Sequence, residues 1–276
     1  DPDTLPILKQ KALSDDNEYV RRAALQELAK GWKDDPDTLP WLKQIALSDD
    51  HPAVRGAAVK ELAKGWKDDP DTLPWLKQIA QSDDDSTVRR AALQELAKGW
   101  EDDPDTLPML KQKAQSDNHP AVQSAAGEGV GGGWGDDPDT LPMLKQKAQS
   151  DDHRAVRCAA VEALARGWKD DPDTLHWLKQ KAKSDDDGYV RSAAVRELAK
   201  GWKDDPDTLP LLKQKAKSDD HLYVRSAAFL ELSKCWKDDP DTLHWLKQKA
   251  QSDDHPAVRR AAVEELAKGW KDEPWL

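Results

Sequence analysis

The chain repeats itself every 34 residues. The block DPDTLP opens at Asp1 and returns at the start of every repeat, with histidine replacing the last proline in two copies. The copies follow one another without insertion or deletion, over 1–34, 35–68, 69–102, 103–136, 137–170, 171–204, 205–238 and 239–272. A period of roughly 20–50 residues indicates a solenoid, in which each repeat packs on its neighbours. We therefore predict a single solenoid domain over 1–272, with 273–276 as the start of a truncated ninth repeat.

Apolar residues predict two helices in each repeat. In the second repeat, Leu39, Leu42 and Ala46 fall on one helical stripe. The segment Ser-Asp-Asp then breaks the pattern, and a second helix is predicted from about Pro52 to Lys64. We call these helices A and B. The fold class is therefore all-α, with eight antiparallel helix pairs.

The ends of these helices carry recognisable signals. Asp37 or Thr38 is expected to cap helix A. Gly65 is expected to adopt the left-handed conformation that ends many helices, and Trp66 to pack behind it. The same tryptophan occurs at position 32 of all eight repeats, and we expect the interior copies to be mostly buried.

Helix B also predicts the core. On a helical wheel, Val54, Ala58 and Leu62 share one arc with Ala57. The alanines at positions 23 and 24 occur in all eight repeats, as expected where neighbouring helices approach to about 8–10 Å. Positions 18, 22, 26 and 30 lie on the opposite arc and are expected to face outward.

Composition excludes several classes of function. A net charge of -11 argues against general affinity for nucleic acid or anionic membranes. The two cysteines, Cys158 and Cys235, cannot form a disulfide framework, which fits a reducing compartment. No apolar run approaches the roughly 20 residues of a membrane span, and no signal peptide opens the chain. We predict a cytoplasmic protein and, because the chain lacks an initiator Met and begins in register, a fragment of a larger one.

The segment SDDHPAVRGAAVKELAKGW resembles the HEAT repeat, above all the short units of bilin-lyase-type proteins and of engineered alpha-solenoid binders. The resemblance covers all eight repeats and implies a right-handed alpha-alpha superhelix with helix B on its concave face. It also implies a ladder of ion pairs between repeats, joining Asp15 to Arg55 and Asp49 to Arg89. Gln123 replaces the arginine in the fourth repeat.

Catalytic and metal motifs are missing from the sequence. The seven histidines do not have zinc-ligand spacing, and the DDPDT runs lack the glycine and spaced acids of a calcium loop. Phosphate-loop, dinucleotide and nucleophile-elbow motifs do not occur. We predict no catalytic residue, no cofactor and no metal.

Residues that vary between repeats on the outer ridge of helix B are the candidate binding site. A fold constrains a surface position weakly, so variation there leaves room for recognition. The candidates are Tyr19, Arg22, Arg90, Tyr189, Arg196, Leu222, Tyr223 and Leu230. The predicted function is a noncatalytic scaffold or recognition array that binds a protein partner. The alternatives are binding of nucleic acid or another polyanion on a lysine ridge at position 30, and an enzyme of the bilin-lyase kind.

Two irregularities complete the sequence picture. The run from Gly127 to Gly135 is either a hinge or a stretch of uncertain sequence, and the near-identity of the repeats is compatible with a natural protein or a consensus design. Neither terminal repeat has a polar cap. Five residues should therefore be less covered than their interior equivalents and invite end-to-end self-association: Leu5, Leu8, Val258, Leu266 and Trp270.

Overall fold

The computed structural model describes residues 4–270, which form sixteen helices and no strand. The A helices are α1 (Thr4–Ser14), α3 (Thr38–Ser48), α5 (Thr72–Ser82), α7 (Thr106–Ser116), α9 (Thr140–Ser150), α11 (Pro172–Ser184), α13 (Thr208–Ser218) and α15 (Pro240–Ser252). The B helices are α2 (Glu18–Gly31), α4 (Pro52–Gly65), α6 (Ser86–Gly99), α8 (Pro120–Gly133), α10 (Arg154–Gly167), α12 (Gly188–Gly201), α14 (Leu222–Cys235) and α16 (Pro256–Gly269). The predicted all-α solenoid of helix pairs is confirmed.

The chain divides into two compact bodies, Asp1–Thr140 and Leu141–Leu276. We call them the N-terminal and the C-terminal body. In each body every B helix packs against the next B helix, whereas successive A helices lie farther apart. The B helices therefore form the inner, concave layer of each body. None of the described helices is long and apolar enough to cross a membrane.

The core of each repeat follows the helical wheel. Val54, Ala58 and Leu62 are completely buried, and Ala57 is nearly so. The short alanine side chains leave space for the adjacent helix, which is how successive B helices reach close contact.

Helix A is capped by the first aspartate of the repeat and not by the residues predicted from the sequence. The backbone of Asp37 is already helical and its side chain caps nothing, while Thr38 is buried as the first helical residue. Asp35 instead accepts a hydrogen bond from the Asp37 N–H at 2.9 Å. The cap therefore lies two residues earlier than expected.

The backbone conformation predicted for the end of helix B is wrong. Among the described residues no glycine has a positive φ, and α4 includes Gly65. Trp66 follows with φ -126° and ψ 41°, and its N–H donates to the Leu62 carbonyl. The tryptophan therefore closes the helix with its backbone.

The exit tryptophans are partly exposed in all eight repeats but have most of their surface covered, as expected for the interior copies. Trp100 shows the reason. The Lys67 ammonium of the preceding repeat lies 5.9 Å from the centroid of its ring, so a neighbouring repeat covers part of the tryptophan.

The arginine ladder exists, but with the opposite register to the one predicted. Arg89 pairs with Asp117 of the following repeat at 2.9 Å, and Asp49 accepts from Arg21, not from Arg89. Asp15 pairs with Lys11 and not with Arg55. The same forward pairing occurs at Arg55–Asp83, Arg191–Asp219 and Arg225–Asp253.

The fork of the guanidinium explains the register. Nη1 of Arg191 donates to the Asp185 carbonyl in its own turn at 2.8 Å. Nε and Nη2 then point toward the next repeat and donate to the two carboxylate oxygens of Asp219. Gln123 keeps only the first half of this arrangement, because its Nε2 donates to the Asp117 carbonyl while its Oε1 is buried without a partner.

A second ladder joins the A helices. Lys77 bonds to Asp103 at 2.7 Å, so the aspartate that opens one repeat also binds the lysine of the repeat before it. The same contact is made by Lys43 with Asp69, Lys111 with Asp137, Lys179 with Asp205 and Lys213 with Asp239.

The terminal repeats follow the prediction at one end only. Leu8 is half-buried, whereas Leu42 and its other equivalents are buried. Leu5 does not differ from Leu39, its counterpart in the second repeat. At the other end the prediction is wrong, because α15 and α14 cover Val258 and Leu266 completely or nearly so. Trp270 is half-buried like the other exit tryptophans. End-to-end association stays a prediction.

The glycine run is helical from Gly127 to Gly133, within α8. Gly129 lies against α6, and a Cβ added there would come within 2.7 Å of the Ala97 Cβ. Close packing of α8 on α6 therefore requires a glycine at this position. Gly132, in contrast, is exposed.

The same substitution should have opposite effects at these two glycines. Gly132→Ala should raise the free energy of unfolding by about 1 kcal/mol, because alanine favours the helix. Gly129→Ala should lower it by about 1–3 kcal/mol, because the methyl group overpacks the contact with α6. Urea denaturation followed by circular dichroism measures both, and stabilisation by Gly129→Ala would contradict the close packing.

The ladder can be tested with two neighbouring carboxylates that bind the same arginine. Asp219 is buried and Asp220 is exposed, and both accept from Arg191. Asp219→Asn should lower the stability of the C-terminal body by about 3 kcal/mol, because the buried guanidinium loses its counter-charge. Asp220→Asn is the control and should cost less than about 1 kcal/mol. Equal losses in urea denaturation would rule out a structural role for the buried rung.

The ladder also predicts acid sensitivity. Burial alone would raise the pKa of Asp117 and Asp219, but hydrogen bonds from Arg89 and Arg191 hold each pKa below its ordinary value. A carboxyl group whose pKa is lower in the folded state stabilises the fold fully above its unfolded pKa of about 3.9. The stabilisation disappears as pH falls through the folded pKa. Thermal unfolding temperatures should therefore fall below about pH 4, and less steeply in Asp219→Asn.

Candidate functional site

A cavity of about 570 Å³ opens on the B-helix layer of the C-terminal body. Its walls come from α10, α12, α14 and α16, four successive B helices. The cavity follows from the repeat, because residues at positions 19, 22 and 26 of neighbouring B helices face one another across the close helix contacts.

Apolar side chains form the floor and one wall. Phe229 is 2% exposed and Ala227 is buried, while Leu230 is half-buried and open to the cavity. Tyr223 stands at the mouth with 47% of its surface exposed. A large exposed aromatic ring above an apolar floor is typical of a protein-binding surface.

The mouth carries a cluster of aromatic rings. Tyr189 and Tyr223 lie with centroids 4.9 Å apart, and the His221 ring packs against both at 5.2 and 5.5 Å. The Arg154 guanidinium covers the other face of Tyr189 at 4.1 Å. These contacts restrict the two tyrosines, so a partner would meet rings that are already oriented.

His221 enters this cluster because the preceding repeat has a glycine opposite it. A Cβ on Gly188 would come within 2.2 Å of the imidazole ring. In three other repeats the equivalent histidine caps helix B, as His51 does by accepting the Ala53 N–H, whereas His153 makes no such bond. His221 does not cap, and its Nδ1 is buried without a hydrogen-bond partner.

Polar groups line the opposite wall. Arg196 donates to the Ser192 hydroxyl at 3.3 Å and lies 3.9 Å from Glu162, and Ser192 donates to the Tyr223 carbonyl. Burial, helped by the negative charge of Asp187, raises the pKa of the Cys158 thiol to about 11. The thiol is therefore neutral at physiological pH and is a poor nucleophile.

A second cavity, of about 320 Å³, opens on the B helices of the N-terminal body. It is lined by α2, α4 and α6 and differs in chemistry, since Arg22, Lys60, Lys64 and Arg90 surround it with one acid, Glu61. Groups of three or more metal-ligating side chains do not occur in the described part of the chain.

The protein-family model for HEAT repeats matches residues 5–97, 107–199 and 175–267. These matches span most of the chain. The chain belongs to the HEAT-repeat family. A search of curated proteins found no match.

Solved structures show the same fold in other HEAT-type solenoids. YibA of Escherichia coli is 20% identical with a TM-score of 0.54, and the match covers 95% of this chain and 92% of YibA. Kap121p is 18% identical with a TM-score of 0.58, over 96% of this chain and 32% of Kap121p. The CpcE–CpcF complex of phycocyanin lyase from Nostoc is 19% identical with a TM-score of 0.44, over 95% and 94%. At these identities the likeness to YibA and Kap121p concerns the fold alone, and nothing is inferred from the match with a TM-score of 0.44.

The HEAT-repeat structure distributes the predicted site residues over both bodies. Four line the large cavity: Tyr189, Arg196, Tyr223 and Leu230. Arg22 and Arg90 line the second cavity, in the N-terminal body, which we call the basic cavity. Tyr19 is exposed and lies outside both cavities, as does the half-buried Leu222. Sequence reasoning missed Phe229, although it is the only phenylalanine in the chain and replaces an aliphatic residue of the repeat.

The lysine ridge at position 30 is largely neutralised within its own helices. Lys200 contacts Glu197 at 2.6 Å and Lys268 contacts Glu265 at 2.8 Å, three residues earlier in each case. Lys64, Lys98 and Lys234 make the same contact at 3.6–4.0 Å. These pairs reduce the positive potential that a polyanion would need along the ridge.

Proposed function

We propose that this HEAT-repeat protein is a noncatalytic recognition scaffold that binds a protein partner on the B-helix face. The observation that carries the proposal is the cavity of the C-terminal body, where Tyr223 stands exposed above an apolar floor. Tyrosine is enriched in binding hot spots, because its ring gives a large contact area while its hydroxyl can stay hydrated.

The cavity has the layout expected of a protein contact. Leu230 and Phe229 supply an apolar centre, and Arg196, Glu264 and Lys268 supply a charged rim. An apolar centre with a polar rim is the usual anatomy of protein interfaces. A partner side chain of aliphatic or aromatic type would fill the floor, and a polar group beside it would meet the rim.

A noncatalytic role is supported by the chemistry of the walls. Cys158 is the one thiol that lines the cavity, and its raised pKa keeps it protonated. The neutralised lysine ridge favours a protein partner over nucleic acid. We place the protein in the cytoplasm because two half-buried thiols, both unpaired, suit a reducing compartment.

Two leucines of the same helix test this proposal. Leu230 lines the cavity and Leu222 does not, although both are half-buried in α14. Peptides selected from a displayed random library against the intact chain should bind Leu230→Ser or Tyr223→Ala at least about tenfold more weakly, since hot-spot truncation costs about 2 kcal/mol or more. Leu222→Ser is the matched control and should keep the affinity within about twofold.

Calorimetry gives the affinities, and circular dichroism checks that each variant is folded. Equal weakening by the two leucine changes would show that the effect comes from lost stability of α14 and not from a lost contact in the cavity. Unchanged binding in both cavity variants would exclude the cavity as the contact surface.

A further inference from the structure

The basic cavity of the N-terminal body is lined by three cations that lack an ion-pair partner among the described residues. Arg22, Lys60 and Arg90 come from three successive B helices, and none makes a hydrogen bond or ion pair with any residue of the described part of the chain. Lys64 contacts Glu61 at 4.0 Å, which accounts for the one acid in the lining. Three unpaired cations therefore face one concave space in a protein whose net charge is -11.

Two of these cations, Arg22 and Lys60, are partly buried, and leaving them unpaired is unfavourable in the free protein. The Nε of Arg22 is shielded from solvent and has no hydrogen-bond partner. Burial lowers the pKa of Lys60, and repulsion from Arg90, Lys98 and Lys64 lowers it further against the attraction of Glu95. An anion in the cavity would supply the missing partner for both side chains.

Small residues line the cavity beside the cations. Gly56 and Ala57 are among them, and a Cβ added at Gly56 would touch the Ala91 Cβ at 3.6 Å. Gln26 and Gln94 stand at the sides, and each offers an amide donor and acceptor. Small residues and amides together suit an extended segment, whose backbone groups need hydrogen bonds.

The spacing of the cations selects a peptide conformation. Successive helices in such stacks lie about 8–10 Å apart, so the three helices that carry Arg22, Lys60 and Arg90 follow one another at about that interval, with Lys60 one helical turn further along its helix. A polyproline II segment rises about 3.1 Å per residue with three residues per turn, so every third side chain returns to the same face after about 9.3 Å. An acidic residue at every third position would therefore meet one cation per repeat.

We propose that this cavity binds an acidic, polyproline II segment of a partner protein, with carboxylates at every third residue facing Arg22, Lys60 and Arg90. The inference rests on the proposed scaffold function and adds a second contact of defined chemistry. Nucleic acid fits less well, because duplex DNA carries one charge per about 1.7 Å and would also approach the acidic turns of the repeats.

The test uses the intact chain and synthetic peptides. One labelled peptide consists of Glu-Pro-Pro triplets, and its isomer has the same residues with all glutamates in one block. Fluorescence anisotropy should show the triplet peptide binding at least about tenfold more tightly than the isomer, a difference of about 1.4 kcal/mol. A single-stranded oligonucleotide of equal charge should bind more weakly than the triplet peptide.

Charge-matched variants separate the cavity from the general surface. The variant Arg22→Gln, Lys60→Gln, Arg90→Gln should lose the preference for the triplet peptide. The control Lys33→Gln, Lys169→Gln, Lys203→Gln removes the same charge from exposed positions and should keep it. Circular dichroism confirms that both are folded.

Three results would overturn the proposal: equal affinity for both peptides, equal loss in both triple variants, or tighter binding of the oligonucleotide. Each of them leaves the measurements on Tyr223 and Leu230 in the other body untouched. Failure of this inference is therefore distinguishable from failure of the scaffold function.

Discussion

Two small side chains in each B helix, the alanines at positions 23 and 24, decide how closely the repeats stack. Ala57 and Ala58 let a neighbouring helix approach without a cavity between them. Residues at positions 19, 22 and 26 of neighbouring B helices then line shared cavities, with exposures that range from the buried Ser192 to the exposed Tyr223. The chemistry of each cavity depends on the side chains at these positions. They include aromatic and aliphatic residues in the C-terminal body and cations in the N-terminal body.

The sequence predicts the helix pairs and the core well, because both depend on spacing within one helix. Val54, Ala58 and Leu62 are buried as the wheel requires. The caps and the ladder register depend on contacts that a wheel does not contain. Two aspartates stand before helix A at Asp35 and Asp37, and only the folded turn distinguishes them. The direction of the Arg–Asp ladder likewise depends on where the turn of the next repeat lies relative to the arginine, which the sequence of one helix does not give.

The candidate site shows the same limit. Four of its residues were predictable as variable positions on the B ridge, but the pair Gly188 and His221 was not. The histidine at this position caps helix B in several repeats, and only the space left by a glycine in the preceding repeat lets His221 join the tyrosines. Leu222 and Leu230 are both half-buried leucines of α14, and only their different places along the helix put Leu230 in the cavity and leave Leu222 outside it.

Both ladders run in one direction, since the preceding repeat always supplies the base and the following repeat the acid. Each repeat therefore has an acidic side and a basic side, and the stack is electrically polar along its length. Two stacks meeting through like ends would place carboxylate against carboxylate or ammonium against guanidinium. Contact through opposite ends continues the ladders. The direction of the ladders therefore favours head-to-tail over like-end contact between such stacks, and a head-to-tail contact is heterologous, so it would extend an array without closing it.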